Sequence, residues 1–145
     1  LQNCILELEH RGAGVVVMLC TGSFPAFRAH VPLIMLDQLL AGFVNSVAPR
    51  GRLGILTPDQ RQISNTKRRW RRAQRAVKIE AASPYDGMEP VLQAARKLAS
   101  AVPDIVILDC IGFTCAMKQN VKEIVQKPVI LPRSVLAKTI SELAV

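Results

Sequence analysis

The sequence predicts an α/β protein of two Rossmann-like lobes with parallel sheets, the first lobe incomplete. Three observations carry that prediction. Apolar residues recur alternately at helical spacing and in short continuous runs. The runs, Val15–Cys20 and Ile105–Cys110 foremost, are rich in Val and Ile, as parallel strands buried on both faces are. The order helix, strand, loop, strand, helix occurs twice. Strands that alternate with helices imply right-handed crossovers and sheets covered on both faces.

The elements follow in order. Leu1–Arg11 sets Leu1, Cys4, Ile5 and Leu8 at helical spacing, and Gly12 and Gly14 stop that helix. Val15–Cys20 is the first strand. Thr21–His30 reads as a loop, with Gly22, Ser23 and Pro25 as turn residues. Val31–Met35 is a second strand. Asp37–Val47 follows as a helix whose apolar stripe is Leu36, Leu39, Leu40, Phe43, Val44 and Val47. Pro49–Gly51 breaks the chain, and Arg52–Thr57 is a strand. Pro58–Asp59 opens a helix that runs through a basic block. Val77–Ala82 is a strand, and Ser83–Gly87 a loop. Glu89–Ala101 is a helix that tolerates Pro90 in its first turn. Ile105–Cys110 is a buried strand, Met117–Val125 a helix, Val129–Leu131 a strand, and Ser134–Leu143 the last helix.

The two halves repeat each other. Val15–Cys20 leads through a Gly-containing loop to Val31-Pro32-Leu33-Ile34. Ile105–Cys110 leads through another to Lys127-Pro128-Val129-Ile130. Each first strand is expected to end in a cysteine, with Gly two residues on (Gly22, Gly112) and a Phe nearby (Phe24, Phe113). This pattern is a duplicated α/β unit. Residues 1–48 form the remainder of a first lobe and residues 49–145 a second, fuller one. A strand–helix–strand before Leu1 would complete the first, so the natural protein is expected to be longer.

The composition excludes several classes. With 145 residues, 50% hydrophobic and 21% charged, the chain is globular in balance and not disordered. No apolar run approaches the ~20 residues of a membrane helix. Glu7, Glu9 and His10 stand where a signal peptide would be apolar. The net charge of +8 is local. Arg61, Lys67, Arg68, Arg69, Arg71, Arg72, Arg75 and Lys78 form an acid-free block, and outside it bases and acids balance at eleven each. The four cysteines form no CxxC pair, and His10 and His30 add no zinc spacing, so no metal is assigned. A reducing cytoplasm is the natural setting.

In open α/β sheets ligands bind beyond the carboxyl ends of the strands. Cys20 and Cys110 fall there, each before a Gly loop whose backbone N–H groups can bind an anion. Facing lobes would put the two thiols on opposite sides of one cleft. That suits proton removal from one face of a substrate carbon and proton return to the other, without a cofactor. A helix N-terminus or a cation lowers a thiol below its free value of about 8.5, leaving one thiolate as base and one thiol as acid. One Cys as nucleophile with the other as donor is an equal alternative. The plainer reading is that both are inert packing in a fold that repeats generically.

Val17-Met18-Leu19-Cys20-Thr21-Gly22-Ser23 resembles the first motif of the aspartate/glutamate racemase-like superfamily. Ile107-Leu108-Asp109-Cys110-Ile111-Gly112-Phe113 resembles the second, in the version found in the AroM family. Gly51-Arg52-Leu53-Gly54-Ile55-Leu56-Thr57-Pro58 resembles the strand and turn that open the second lobe, and Lys127–Leu143 its closing strand and helix. The chain is similar to the AroM family over nearly its whole length. The resemblance implies two lobes related by a pseudo-two-fold axis, a cleft between them, and cofactor-free chemistry on small carboxylates. It departs at Asp109, where Gly is usual, and at Ile111, where Thr or Ala is. A carboxylate close to Cys110 would disfavour its thiolate, whereas on a strand Asp109 would point to the opposite face.

The expected catalytic pair is therefore Cys20 and Cys110. The expected carboxylate-holding residues are Thr21, Gly22, Ser23, Thr57, Ser83, Ile111 and Gly112, for which loop capping is the plainer role. Arg133, at the end of the last strand, is a candidate bidentate partner. Cys4 and Cys115 read as structural. The leading function is an AroM-like, cofactor-independent racemase- or isomerase-type enzyme on a small carboxylate, and a homodimer is compatible with it. The alternative is a non-catalytic anion-binding or regulatory protein of the same fold. The third is nucleic-acid association through Arg68, Arg71, Arg72 and Arg75 with Trp70 interleaved, or a partner contact anchored by Trp70. No recognised nucleic-acid motif frames that block.

Overall fold

The helical spacing at the start of the chain yields α1 (Gln2–His10), with Ile5 buried beneath it. A computed structural model describes residues 1–70 and 76–143. Within the first apolar run, β1 (Val16–Met18) pairs in parallel with β2 (Leu33–Met35), from Val16 opposite Leu33 to Met18 opposite Met35. Parallel neighbours need a long crossover, usually a helix. Here residues 19–32 cross as a loop, and α1 holds them. Gln2 exchanges two hydrogen bonds with the Arg28 backbone, at 2.8 and 2.9 Å. The Glu9 carboxylate accepts the backbone N–H of His30 and Val31 and meets His30 Nδ1 at 2.9 Å.

Helix α2 (Leu36–Val47) leaves β2 without a break. Its residues Leu36, Leu40 and Val44, four apart and so on one face, are 0–1% exposed. Beyond the Pro49–Gly51 break come β3 (Leu53–Thr57), a short 3-10 turn at Gln60–Gln62, and α3 (Ile63–Trp70). Asp59 caps that turn by accepting the Arg61 backbone N–H at 2.8 Å. Next are β4 (Val77–Ala81), α4 (Met88–Ala99), β5 (Ile105–Leu108), α5 (Cys115–Val125), β6 (Val129–Ile130) and α6 (Pro132–Leu143). Gly87 opens α4 at φ 90°, a conformation that suits glycine. Thr114 caps α5, its hydroxyl accepting the Met117 N–H at 3.2 Å.

Strands β3 to β6 form one parallel sheet in the order β4-β3-β5-β6. Alternation along its strands separates two cores. Leu56, Val106 and Leu108 face α4 and α5, meeting Val91, Leu98, Phe113 and Val121. Leu53, Ile55, Ile105 and Ile107 face the other way, meeting Trp70 of α3 and Leu40 and Val44 of α2. Helix α2, which belongs by sequence to the first repeat, thus covers the sheet of the second. A third cluster, Ile34, Leu36 and Leu136, ties β2 and α2 to α6.

The fold class is the expected one: two parallel sheets with helices interleaved. Arg71, Arg72 and Arg75, expected on the α3 face, lie outside the described residues. Among the described residues no helix is long and apolar enough to cross a membrane.

The Glu9 clamp is testable. The contacts with His30 hold its carboxyl below the ordinary carboxylate value. A depressed folded value means that the clamp is fully present above the unfolded carboxylate range and is lost as pH falls through the folded value. Glu9→Ala should speed amide exchange at His30 and Val31 several-fold and leave β5 amides unchanged. Acid should reproduce that effect in the native chain, read by hydrogen exchange.

Candidate functional site

The two thiols lie where two apolar strands run out at the same kind of turn. The expected strands Val15–Cys20 and Ile105–Cys110 are shorter in the structure. β1 stops at Met18 and β5 at Leu108, each two residues before its cysteine. Local hydrogen bonding turns the second of these chains there: the Cys110 N–H donates to the Leu108 carbonyl at 2.8 Å. Gly22 N–H then donates to Cys20 Sγ at 3.3 Å, and Gly112 N–H to Cys110 Sγ at 3.4 Å. The repeat read in the sequence therefore reappears as one sulfur-capped turn built twice. Both cysteines are free thiols, Cys20 exposed and Cys110 half-buried.

The environment of Cys110 sets its chemistry. Burial pushes the thiol above its ordinary value, the Gly112 N–H opposes this, and the charges of Asp109 and Cys20 add to the rise while Arg133 resists it. Cys110 therefore holds its proton at neutral pH, as an acid must. Arg133 does not hold out a free guanidinium. Its Nε donates to the Ile111 carbonyl at 3.0 Å, and Nη2 donates to the same oxygen, fixing the turn after Cys110.

Asp109 is the other determinant. It is 3% exposed, and its Oδ2 accepts Arg69 Nη2 and, at 3.3 Å, Trp70 Nε1. The same guanidinium donates through Nη1 to the Thr21 carbonyl and lies 5.5 Å over the Trp70 ring. Thr21 Oγ1 donates back to the Asp109 carbonyl at 3.1 Å. Burial pushes the Asp109 carboxyl up, against Arg69, Trp70 and Thr21, which pull it down. The carboxylate is thus directed to α3, as strand alternation suggested, yet its charge still reaches Cys110.

The remaining expected residues divide. Ser23 is exposed beside Cys20. Gly22 and Gly112 serve through their N–H groups, and Ile111 through its carbonyl. Thr21 is buried and spends its hydroxyl on the junction. Thr57 is fully buried, its hydroxyl 3.5 Å from that of Thr66, so it supports the sheet end and presents nothing to solvent. Ser83 Oγ accepts the Tyr85 N–H at 3.1 Å, a loop cap. Trp70, weighed as a surface anchor, is 5% exposed and packed in the core, because its ring fills the α3 face of the sheet. Arg69 leaves the solvated block for the junction, Arg61 pairs with Asp59, and Lys78 with Glu80.

Two residues escaped the sequence reading. Arg69 looked like one charge in a run, and the signal lay in Asp109, a carboxylate ending an apolar strand that needs a cation. Tyr85 lies over the Cys110 turn: a Cβ at Gly112 would come 2.5 Å from its hydroxyl and 2.9 Å from Pro84 Cγ, so a side chain there would force Tyr85 and Pro84 to shift. The signal there was an aromatic in the loop after β4, at the thiol end of the sheet.

A cavity of about 740 Å³ lies at the opposite end, before the strands, between α2 and α6. Phe43, Val47, Ile105, Val129 and Val135 wall it, and neither thiol reaches it. Chemistry rather than volume locates the candidate site. Among the described residues no group of three His, Cys, Asp or Glu side chains could hold a metal.

Two parallel α/β units with matched thiol turns define an aspartate/glutamate racemase-like fold. Allantoin racemase from Klebsiella pneumoniae superposes with a TM-score of 0.68 at 17% identity, over 98% of this chain and 64% of that one. Glutamate racemase from Aquifex pyrophilus superposes with a TM-score of 0.64 at 14% identity, over 99% and 64%. The chain therefore spans about two-thirds of the length of either structure. No curated relative matches it. The family profile described as AroM protein matches residues 1–144, and the chain belongs to the AroM family.

The junction makes an energetic prediction. Arg69→Met leaves Asp109 buried without its cation and should cost about 3 kcal/mol or more, as for any broken buried pair. Asp109→Asn combined with Arg69→Met should recover most of that loss in urea denaturation, because no charge is then stranded.

Proposed function

We propose that this chain carries the thiol pair of a cofactor-independent racemase- or isomerase-type enzyme acting on a small carboxylate, an amino acid or a related anion. The substrate would lie between residues 1–48 and 49–145. The observation that carries the reading is the matched pair of turns, each presenting a thiol capped by the N–H of a glycine two residues on. Both structural neighbours are racemases, which supports the reaction class.

In this reading Cys20, the exposed thiol, acts as the thiolate base and takes the proton from the substrate carbon. The electron pair of the broken C–H bond delocalises into the adjacent carboxylate. Cys110, protonated because it is half-buried, gives its proton to the opposite face, and that electron pair forms the new C–H bond. Cys20 is then a thiol and Cys110 a thiolate, the arrangement that runs the reverse direction. Ser23, exposed in the turn after Cys20, holds the carboxylate together with the two turns, and Arg133 shapes its pocket through Ile111. The free thiols suit a reducing cytoplasm, and a homodimer is compatible with the arrangement.

A non-catalytic anion-binding role is the second reading, favoured by the Asp109 charge that opposes a Cys110 thiolate. Site-resolved iodoacetamide labelling against pH, on the full-length protein, separates the two. Cys110 should label slowly at neutral pH and accelerate only in alkali, above the ordinary thiol range of about 8.5. A small dicarboxylate should protect Cys20 and Cys110 but not Cys4 or Cys115. Exchange of the substrate-carbon hydrogen in heavy water should fall by about a hundredfold or more in Cys20→Ser and in Cys110→Ser. Protection without any exchange would establish the anion-binding role, and an intact fold with neither thiol protected would sink both readings.

A further inference from the structure

We propose that Arg69 is a positioning residue that sets the placement of the two thiol turns relative to each other. Its two terminal nitrogens divide between them. Nη1 donates to the carbonyl of Thr21, the residue after Cys20, and Nη2 to the carboxylate of Asp109, the residue before Cys110. One planar fork therefore spans the backbone beside one thiol and the side chain beside the other. A guanidinium has this geometry and an ammonium does not. Thr21 closes the ring by donating to the Asp109 carbonyl at 3.1 Å. The fork is itself held: Trp70 lies next to it in α3, is buried, and donates to the same carboxylate oxygen at 3.3 Å. The Arg69 hydrogen bonds go to the Thr21 carbonyl and the Asp109 carboxylate and not to either sulfur, so Arg69 acts through the turns.

The proposal rests on the reading of Cys20 and Cys110 as one site, but its test needs no substrate. The readout is the coupling between the thiols, taken from the apparent pKa of Cys110 by labelling against pH. The groups that act on Cys110 are Asp109, Cys20, Arg133 and the Gly112 N–H. With Arg69 present, Cys20→Ser removes one repelling charge and should lower the Cys110 value by about one pKa unit, as for charges roughly 10 Å apart near a protein surface. In the Arg69→Met/Asp109→Asn background, chosen because it strands no buried charge, the same Cys20→Ser change should shift Cys110 by less than half as much. Arg69→Lys should keep the Asp109 pair and most of the stability yet lose the coupling, since an ammonium lacks the planar fork of two separated nitrogens that now spans both turns. A purely structural Arg69 would lower stability and leave the coupling intact in all backgrounds, and that result would overturn the proposal. If the double variant does not fold, Arg69→Lys alone decides: retained coupling rejects the fork, lost coupling with a native circular dichroism spectrum upholds it. Failure of the substrate-carbon exchange would refute the reaction proposed above without altering this measurement.

Discussion

The structure turns on one buried carboxylate. Asp109 directly follows the apolar strand β5, where desolvation would penalise a lone charge by several kcal/mol. Everything adjacent answers that constraint. Arg69 must enter the protein to meet it, which fixes the rotation of α3. That rotation places Trp70 against Ile55, Ile107 and Leu40, where its ring fills the core and its indole N–H finds the same carboxylate. The guanidinium then has a donor left over, and the Thr21 carbonyl takes it. The loop after β1 is thereby fastened to the loop after β5. A two-stranded sheet is marginal alone, and β1–β2 gains its support from this junction, from α1, and from Leu36 and Leu136 beneath it.

Much of this was legible in the sequence. Periodicity alone yields each described helix and strand, because apolar runs of Val and Ile and stripes such as Leu36, Leu40 and Val44 have single physical solutions. What it missed is instructive. The strands end two residues early because Cys20 and Cys110 accept backbone N–H groups, a local competition that hydropathy does not register. Thr57 was expected at a binding surface, yet its hydroxyl meets Thr66 inside, since position at a strand end does not determine which side of the sheet is open. Arg69 could not be separated from its neighbours in a basic run, because the distinction is made by a residue forty positions away. The basic block is consequently heterogeneous: Arg69 is half-buried against Asp109, and others are paired with Asp59 and Glu80.

The repeat is equally informative where it breaks. Both units have the turn with a glycine-capped sulfur, but only the second has a helix, α5, between its paired strands. Where the second unit has Asp109, 3% exposed, the first has Leu19, 59% exposed. The two thiols consequently sit in unlike surroundings on like scaffolds, Cys20 open to solvent and Cys110 half-buried with Asp109 behind it. In the proposed reaction one thiol is ionised while the other is not, and the burial of Cys110 raises its value.

The two ends of the four-stranded sheet show how such a site is told from a hole. The end before the strands holds a cavity of about 740 Å³, walled mainly by apolar residues of α2, α6 and the starts of β5 and β6. The end after the strands concentrates reactive and polar groups: two thiols, the glycine N–H groups that cap them, an exposed serine and a tyrosine hydroxyl over the Cys110 turn. Parallel strands present their C-terminal loops there, and those loops alone can change without disturbing the cores. The ion pair lies beneath that end, where burial makes each charge depend on its partner. The residue that stabilises the junction is therefore also the one placed to orient the thiols, and the same desolvation that makes Asp109 costly makes Arg69 hard to replace.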